Sequence, residues 1–448
     1  MHNLPQGYEE QMKRLLGEAG FFAYMRALDE PVSRALRINL LLRADGTPPC
    51  AIEGMADPVP WARGAYFVQD GARPGLSPLH EGGLFYLQEP SALSAVTALD
   101  PRPGERVLDL CAAPGGKSTQ IAALMQGRGL LVCNEPVPSR AQILSRNIER
   151  MGVRNAVVTC APPDLLAPRF EAFFDRILVD APCSGEGMFR RQIEARSEWT
   201  ENAPPGCARR QLEILHQAAR MLAPGGAMVY STCTFNDVEN EGVLTSFLQQ
   251  HSDFALEPFA LPGLPRAEQG YVHLYPHQIR GEGHFVSLLR RQTDAKSSDS
   301  HGRADASPPP ANMSALAADV LPDVFAPGCA PERLYAAGDA LWSLPEGICL
   351  AALGGLRVLR TGLLVARREG RRVVPDHALA MAMRPEEAAR TAALSREQAL
   401  AYQAGEALSL GDLPPGYTLL CHEGISLGWG KQAAGIMKNH YPKGLRRR

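Results

Sequence analysis

The chain has 448 residues, with 46 Lys plus Arg against 48 Asp plus Glu and a formal net charge of -2. That length exceeds one ordinary domain, and an apolar content of 45% excludes general disorder. No run approaches the ~18 consecutive apolar residues of a membrane span, and a near-neutral total argues against a nucleic-acid partner unless the charge is unevenly placed.

The first twenty residues carry Met12, Leu15 and Leu16 among charged neighbours, the spacing of a surface helix and not of a leader peptide. A cytoplasmic protein with no membrane partner is therefore expected. From residue 106 onward, short apolar runs alternate with helical stretches. Arg106–Cys111, Leu130–Asn134, Ala156–Thr159, Arg176–Asp180 and Ala227–Ser231 read as strands. Helices are predicted near 117–126, 138–151, 207–222 and 238–250. This alternation implies a doubly wound parallel α/β sheet. Ala223-Pro224-Gly225-Gly226 reads as a helix stop and tight turn before the fifth strand. Residues 292–315 are rich in Ser, Asp and Pro, including Pro308, Pro309 and Pro310, and read as a flexible linker. Beyond it, short β-rich runs such as Leu356–Leu359 and Gly362–Ala366 suggest a smaller α+β module. The expected division is an N-terminal region 1–88, a core 89–291, the linker 292–315 and a C-terminal region 316–448.

The ten cysteines are scattered with no CxxC pair, which excludes a zinc ribbon or a disulfide framework. No metal is expected.

The first strand runs into Cys111-Ala112-Ala113-Pro114-Gly115-Gly116-Lys117-Ser118. A buried strand, a Gly-rich turn and a helix hold nucleotide-like ligands, because small residues admit the backbone and the helix N-terminus offers free N–H groups. A phosphate-binding P-loop needs Gly where Cys111 stands, and the G-x-G-x-x-G pattern is absent. Glu135, about 20 residues past the turn, is placed to accept ribose hydroxyls. Ribose binding without a pyrophosphate fingerprint points to S-adenosylmethionine.

The fourth strand ends Asp180-Ala181-Pro182-Cys183-Ser184-Gly185-Glu186-Gly187, and the fifth Ser231-Thr232-Cys233-Thr234. In an open α/β sheet, ligands bind outside the carboxyl ends of the strands, so both thiols stand where chemistry happens. A thiolate beside a methyl donor suggests covalent activation of cytosine: addition to C6 makes C5 nucleophilic. One Cys attacks and the other assists proton removal or product release. Asp180 is placed to hydrogen-bond N3 and the exocyclic amine, and Lys117 to orient the base or lower a thiol pKa. The target base must leave its stack to fit there.

These residues resemble the Sun/Nol/Nop family of RNA cytosine-5 methyltransferases. The cofactor loop, the Asp180–Gly187 segment and Tyr230–Phe235 with Asp237-Val238-Glu239-Asn240-Glu241 match its motifs in order. Upstream, Arg37-Ile38-Asn39 and Tyr86–Ser91 match two more. The resemblance implies a Rossmann-like, S-adenosylmethionine-dependent core with an N-terminal α+β extension. It makes Cys233 the nucleophile and Cys183 the thiol of product release. It carries over Cys111, Ala112, Ala113, Pro114, Gly115, Gly116, Lys117, Glu135 and Asp180 as cofactor or base contacts. The family often has an acid after the third strand that contacts the adenine amine. Here the sequence is Cys160-Ala161-Pro162-Pro163-Asp164, with Asp164 a few residues late, so either Asp164 or backbone groups hold the adenine.

Gly416–Cys421, Gly428–Lys431 and Lys438–Arg446 resemble the tail of the bacterial RsmF-type branch, which implies a PUA-like RNA-binding module and small-subunit (16S) rRNA, free or within a subunit, as partner of a monomer. From Gly424 to Arg448 there are six Lys/Arg and no acid, with Trp429 and Tyr441 among them. Cations for phosphates and aromatic faces for bases suit RNA. The alternatives are a tRNA cytosine-5 methyltransferase, a DNA methyltransferase in which Cys183 attacks and Cys233 has no role, and a non-catalytic RNA-binding ribosome-assembly factor. The presence of every reacting group speaks against the last.

Overall fold

The computed structural model describes residues 4–191, 193–293 and 320–446. The expected linker 292–315 lies, except for its first two residues, outside them.

The N-terminal region opens with α1 (Tyr8–Leu28), which Gly17, at φ +68°, breaks into two helical halves. Met12 is fully buried, and Leu15 and Leu16 pack on the same cluster, so this helix docks instead of lying free on the surface. A four-stranded antiparallel sheet follows, built from β1 (Ala35–Ile38), β2 (Met55–Pro58), β3 (Ala65–Val68) and β4 (Phe85–Gln88) in the order β2-β3-β1-β4.

The core carries β5 (Arg106–Asp109), β6 (Leu130–Asn134), β7 (Ala156–Thr159), β8 (Phe174–Asp180) and β9 (Leu222–Thr232). They pair in parallel in the order β7-β6-β5-β8-β9. The parallel strands are buried on both faces, which is why they read as unbroken apolar runs. Leu93–Leu99, Gly116–Leu124 and Pro138–Arg150 cover one face, and Ala203–Met221 and Glu241–Gln250 the other. β10 (Phe254–Leu256), β11 (Tyr271–Leu274) and β12 (His284–Arg291) extend the sheet, β12 running antiparallel to β9. The Pro224-Gly225-Gly226 segment is not a free turn. It is the start of β9, whose register with β8 shifts between Phe174 and Arg176. A bulge there absorbs the proline and the Gly225 φ of +77° that a regular ladder would reject.

The C-terminal region contains β13 (Leu334–Ala337), β14 (Ala340–Ser343), β15 (Val358–Thr361), β16 (Leu363–Glu369) and β17 (Arg372–Pro375), then β18 (Thr391–Ala393), β19 (Gly416–His422), β20 (Ile425–Ala433) and β21 (Ile436–Asn439). Two four-stranded sheets result, β13-β14-β16-β17 and β18-β19-β20-β21. β15 belongs to neither: it pairs antiparallel with β7 and closes the edge of the core sheet. Composition places that run in a separate module, because sequence order does not reveal a strand donated across the fold.

The same seam holds Arg360, 4% exposed, whose Nη2 donates to Glu149 Oε2 at 2.6 Å. Removing one partner of a buried ion pair strands the other charge. Arg360→Ala is expected to cost about 3 kcal/mol, the low end for a buried pair because Glu149 is partly solvated. The urea midpoint of the core transition reads it, and an unshifted midpoint would show that the seam contributes nothing.

Trp429 and Tyr441 do not serve as base-stacking faces. They are 2% and 3% exposed and fill the cores of the last module. Trp429 Nε1 donates to the Asp376 carbonyl at 2.9 Å, and the Tyr441 ring packs on Tyr402 and His377. A small β-rich module has few other side chains of that volume with which to close its interior.

Candidate active site

The carboxyl ends of β5, β6, β8 and β9 open onto two adjoining cavities. The larger, about 820 Å³, is lined by Cys111, Ala113, Glu135, Asp164, Asp180 and both Cys183 and Cys233. The smaller, about 340 Å³, shares Cys111, Ala113, Asp180 and Cys233 with it, and adds Lys117, Gln88, Arg191 and His284. Asp180 and Cys233 therefore stand on the wall common to both.

The loop after β5 has the build its composition suggested. Ala112, Pro114 and Gly116 line the smaller cavity. A Cβ at Gly116 would meet Tyr86 at 3.2 Å and Gln88 at 3.3 Å. Gly115 lines neither cavity. It has φ +111°, and a Cβ there would press on Leu144 and Asn147, so this glycine serves the turn and the helix packing. The Ala113–Pro114 peptide is cis. Glu135 ends β6 with a buried side chain. Its Oε1 accepts from the Val137 N–H at 3.0 Å, and its Oε2 lies 3.2 Å from Arg140. Asp164 is exposed at the far end of the larger cavity, its Oδ1 accepting from the Leu165 N–H. Burial pushes the Cys111 thiol up, well away from thiolate character.

The two reactive-site cysteines meet. Cys183 Sγ and Cys233 Sγ are 3.3 Å apart. The hydrogen bond to Cys233 and burial both push the Cys183 thiol up. Asp180 Oδ2 accepts from Lys117 Nζ at 2.8 Å, and Oδ1 from Ser231 Oγ at 2.8 Å. Burial alone would raise the Asp180 carboxyl, but Lys117 and His284 outweigh it and hold it below its ordinary range. Burial likewise works against the Lys117 ammonium, and Asp180 reverses that.

Sequence reasoning assigned no role to the acids that hold the thiols in place. Glu186, on the Cys183 loop, is 1% exposed. It accepts from the N–H groups of Phe235 (2.8 Å) and Asn236 (3.0 Å), and from Gln11 and Trp199. Glu239, on the Cys233 loop, is fully buried and accepts from the Ser184 N–H at 3.0 Å and from Gln211 at 2.7 Å. Each loop thus grips the other through a buried carboxylate. The only trace in the sequence was two glutamates, inside the motifs, that the chemistry did not use. Arg37 and Asn39 are clamps of the same sort. Arg37 Nη2 donates to Thr119 Oγ1 at 2.8 Å and to the Gly116 carbonyl at 3.2 Å, and Asn39 donates to the carbonyls of Gly83 and Met151.

Helices on both faces of a parallel sheet, with a cavity at the strand ends, make a Rossmann-like core built for a nucleotide-like ligand such as S-adenosylmethionine. The residues fit that cofactor: a small-residue loop admits it, and a buried acid at the end of β6 faces the cavity.

Residues 96–290 match the family described as 16S rRNA methyltransferase RsmB/F. Residues 4–90, 318–383 and 389–447 match the N-terminal, first C-terminal and PUA domains described for RsmF. The chain is 32% identical to ribosomal RNA small subunit methyltransferase F of Erwinia tasmaniensis, over 98% of this chain and 96% of that one. It is 31% identical to the protein of the same description from Vibrio vulnificus, over 99% and 97%. Among solved structures, a methyltransferase homolog from Pyrococcus horikoshii aligns with a TM-score of 0.52 at 30% identity, over 63% of this chain and 93% of that one. The chain belongs to the 16S rRNA methyltransferase RsmB/F family. No helix among the described residues is long and apolar enough to cross a membrane.

Asp109 ends β5 beneath the loop, fully buried. It accepts from Ser118 Oγ at 2.6 Å through Oδ2, while Oδ1 has no partner. Burial raises its pKa from 3.8 to about 7. A carboxyl raised on folding supports the fold below its unfolded pKa and loses that support as pH rises to its folded one. Asp109→Asn is therefore expected to remove a decline in stability between about pH 4 and about pH 7 and to stabilise the protein above it. Denaturant midpoints across that range check this, and parallel curves for the two proteins would contradict it.

Proposed function

We propose that this protein methylates C5 of a cytosine in small-subunit rRNA through a covalent Cys233–C6 adduct. The observation that carries the reading is the thiol pair at 3.3 Å, with Cys233 on the wall shared by two cavities and Cys183 beside it in the larger one. The larger cavity takes the cofactor along Cys111–Ala113, with Glu135 on the ribose and Asp164 at the adenine end. The smaller one takes the target base, extruded from its stack.

The chain's own groups divide the work. Cys233 adds to C6, and the displaced electron pair runs through C4 to N3, which takes a proton and leaves C5 enamine-like. Asp180, held ionised, accepts from the exocyclic amine, which discriminates cytosine from uracil. Lys117 fixes that carboxylate. When bound, S-adenosylmethionine supplies an electrophilic methyl group to C5. Cys183, as its thiolate, then takes the C5 proton, the C5–H electron pair restores the C5–C6 double bond, and the C6–S bond breaks to release Cys233 as a thiolate. The family resemblance gives Cys233 the attack and Cys183 this release.

The expected outcome of Cys183→Ala is an RNA–protein adduct that survives denaturing gels, because attack proceeds and release stalls. Cys233→Ala should give no adduct and no methyl transfer. The opposite pattern would exchange the two roles and favour the mechanism of the DNA enzymes.

RNA docking falls to the C-terminal module, where Lys438 stands opposite Lys431 on β20 and β21, and Lys443 is exposed nearby. Charge reversal at Lys438 and Lys443 is expected to weaken rRNA binding and to reduce its salt slope by about 1 for each phosphate left without its cation. Filter binding between low and moderate salt reads both quantities. An unchanged slope would place the RNA elsewhere, and methylation of tRNA but not rRNA would favour the tRNA alternative.

A further inference from the structure

The proposed addition at C6 needs a proton at N3, and Asp180, the nearest acid, is poorly equipped to supply it. Both of its oxygens already accept hydrogen bonds, from Lys117 and Ser231, at 2.8 Å each. One more group reaches it. His284 Nε2 lies 3.4 Å from Asp180 Oδ1, and the ring is 3% exposed. That nitrogen is buried with no aligned hydrogen-bond partner.

The sheet puts this ring at the site. β12 runs antiparallel to β9 with Phe285 opposite Thr232, so His284 stands beside Cys233. It lines the smaller cavity together with Cys233, Lys117 and Asp180. The preceding Gly283, at φ +110°, is pressed so close that a Cβ would fall 2.5 Å from the Phe235 ring.

We propose that His284 serves as a proton reservoir for Asp180: as Cys233 adds to C6, an imidazolium there passes its proton through Asp180 to N3 of the cytosine. The balance closes within the cycle. Cys233 adds as its thiolate, the N–H bond on His284 breaks as the N3–H bond forms, that proton returns when the ring is restored, and the C5 proton leaves to Cys183. No oxidant or reductant takes part. The inference rests on the cytosine-C5 reading, and His284 acts through Asp180 as a positioning residue for the proton.

The other charged groups around the ring are committed elsewhere. From the turn after β8, Arg190 holds Glu282 at 2.7 and 2.8 Å. Glu89, after β4, accepts from the N–H groups of Ser91, Ala92 and Glu282. Arg191 is exposed on the rim. On the helix after the cofactor loop, Lys117 is paired to Asp180, which favours its keeping its proton. Cys233 is the attacking group. A histidine is the side chain suited to changing charge near neutrality.

The test is single-turnover adduct formation in the Cys183→Ala background, where the adduct persists. The probe is 16S rRNA purified from cells lacking the enzyme. His284→Gln keeps an N–H donor of similar reach but cannot ionise. His284→Phe keeps the bulk alone. Both are expected to slow adduct formation on the order of 10²-fold, to abolish the loss of rate as pH rises, and to leave S-adenosylmethionine affinity unchanged as the check on folding. Adduct formation in either variant with the parent's rate and pH profile overturns the inference and leaves the cytosine reading standing. No adduct at any pH with His284 intact overturns the cytosine reading and this inference with it.

Discussion

Two loops from neighbouring strands hold two thiols side by side, and a pair of buried carboxylates makes that possible. Glu186 belongs to the Cys183 loop and binds the backbone of the Cys233 loop, while Glu239 does the reverse. A buried carboxylate is costly unless its lone pairs are taken, and here the donors come from the loop across the gap. Hydrogen bonds to charged groups contribute roughly 1.5–3 kcal/mol each, so separating the loops would forfeit several at once. The 3.3 Å between the sulfurs is thus set by a polar network behind them. The thiols themselves remain free to react.

That network does not end at the core. Gln11 of α1 donates to Glu186, and Arg14 pairs with Asp237 beside the second loop. Arg37 from the N-terminal sheet grips the first turn after the cofactor loop. On the opposite edge, β15 completes the core sheet, and Arg154 joins Glu387 and the Ala382 carbonyl. The Cys160 N–H, just before the Pro162–Asp164 segment of the larger cavity, bonds the Arg357 carbonyl at 2.8 Å. Elements from both flanking regions therefore brace the site, and the core sheet lacks a complete edge without the C-terminal chain.

Much of this was legible in advance for a definite reason. Strand-then-loop chemistry is local: Cys111–Lys117, Glu135, Asp180–Cys183 and Cys233 each follow a strand directly, and the parallel sheet brings those ends together. What was not legible depends on contacts distant in sequence. β15 pairs with a strand some two hundred residues earlier. The 249-residue separation of Ser33 from Glu282 hides a hydrogen bond at the site's margin. Trp429 and Tyr441 are ambiguous in sequence because a basic segment with aromatics looks alike whether its rings face RNA or fill a core. Only burial separates the two, and burial is a property of the whole module.

The charge distribution follows from the same chemistry. Asp109, Glu135, Asp180, Glu186, Glu239 and Glu282 gather around one edge of one sheet. In the proposed reading Glu135 and Asp180 face a cationic cofactor and an exocyclic amine, and Glu186 and Glu239 take backbone N–H groups, all of which favour negative partners. RNA phosphates favour the opposite. A site rich in acids cannot also be the main grip on a polyanion, because the field that stabilises the sulfonium and orients the amine repels the backbone that carries the base. The two demands must be separated in space. In the proposed reading, six Lys/Arg and no acid in the final 25 residues meet the second demand at the far end of the chain. A net charge of -2 is then the sum of two opposed requirements, and its nearness to zero reports neither.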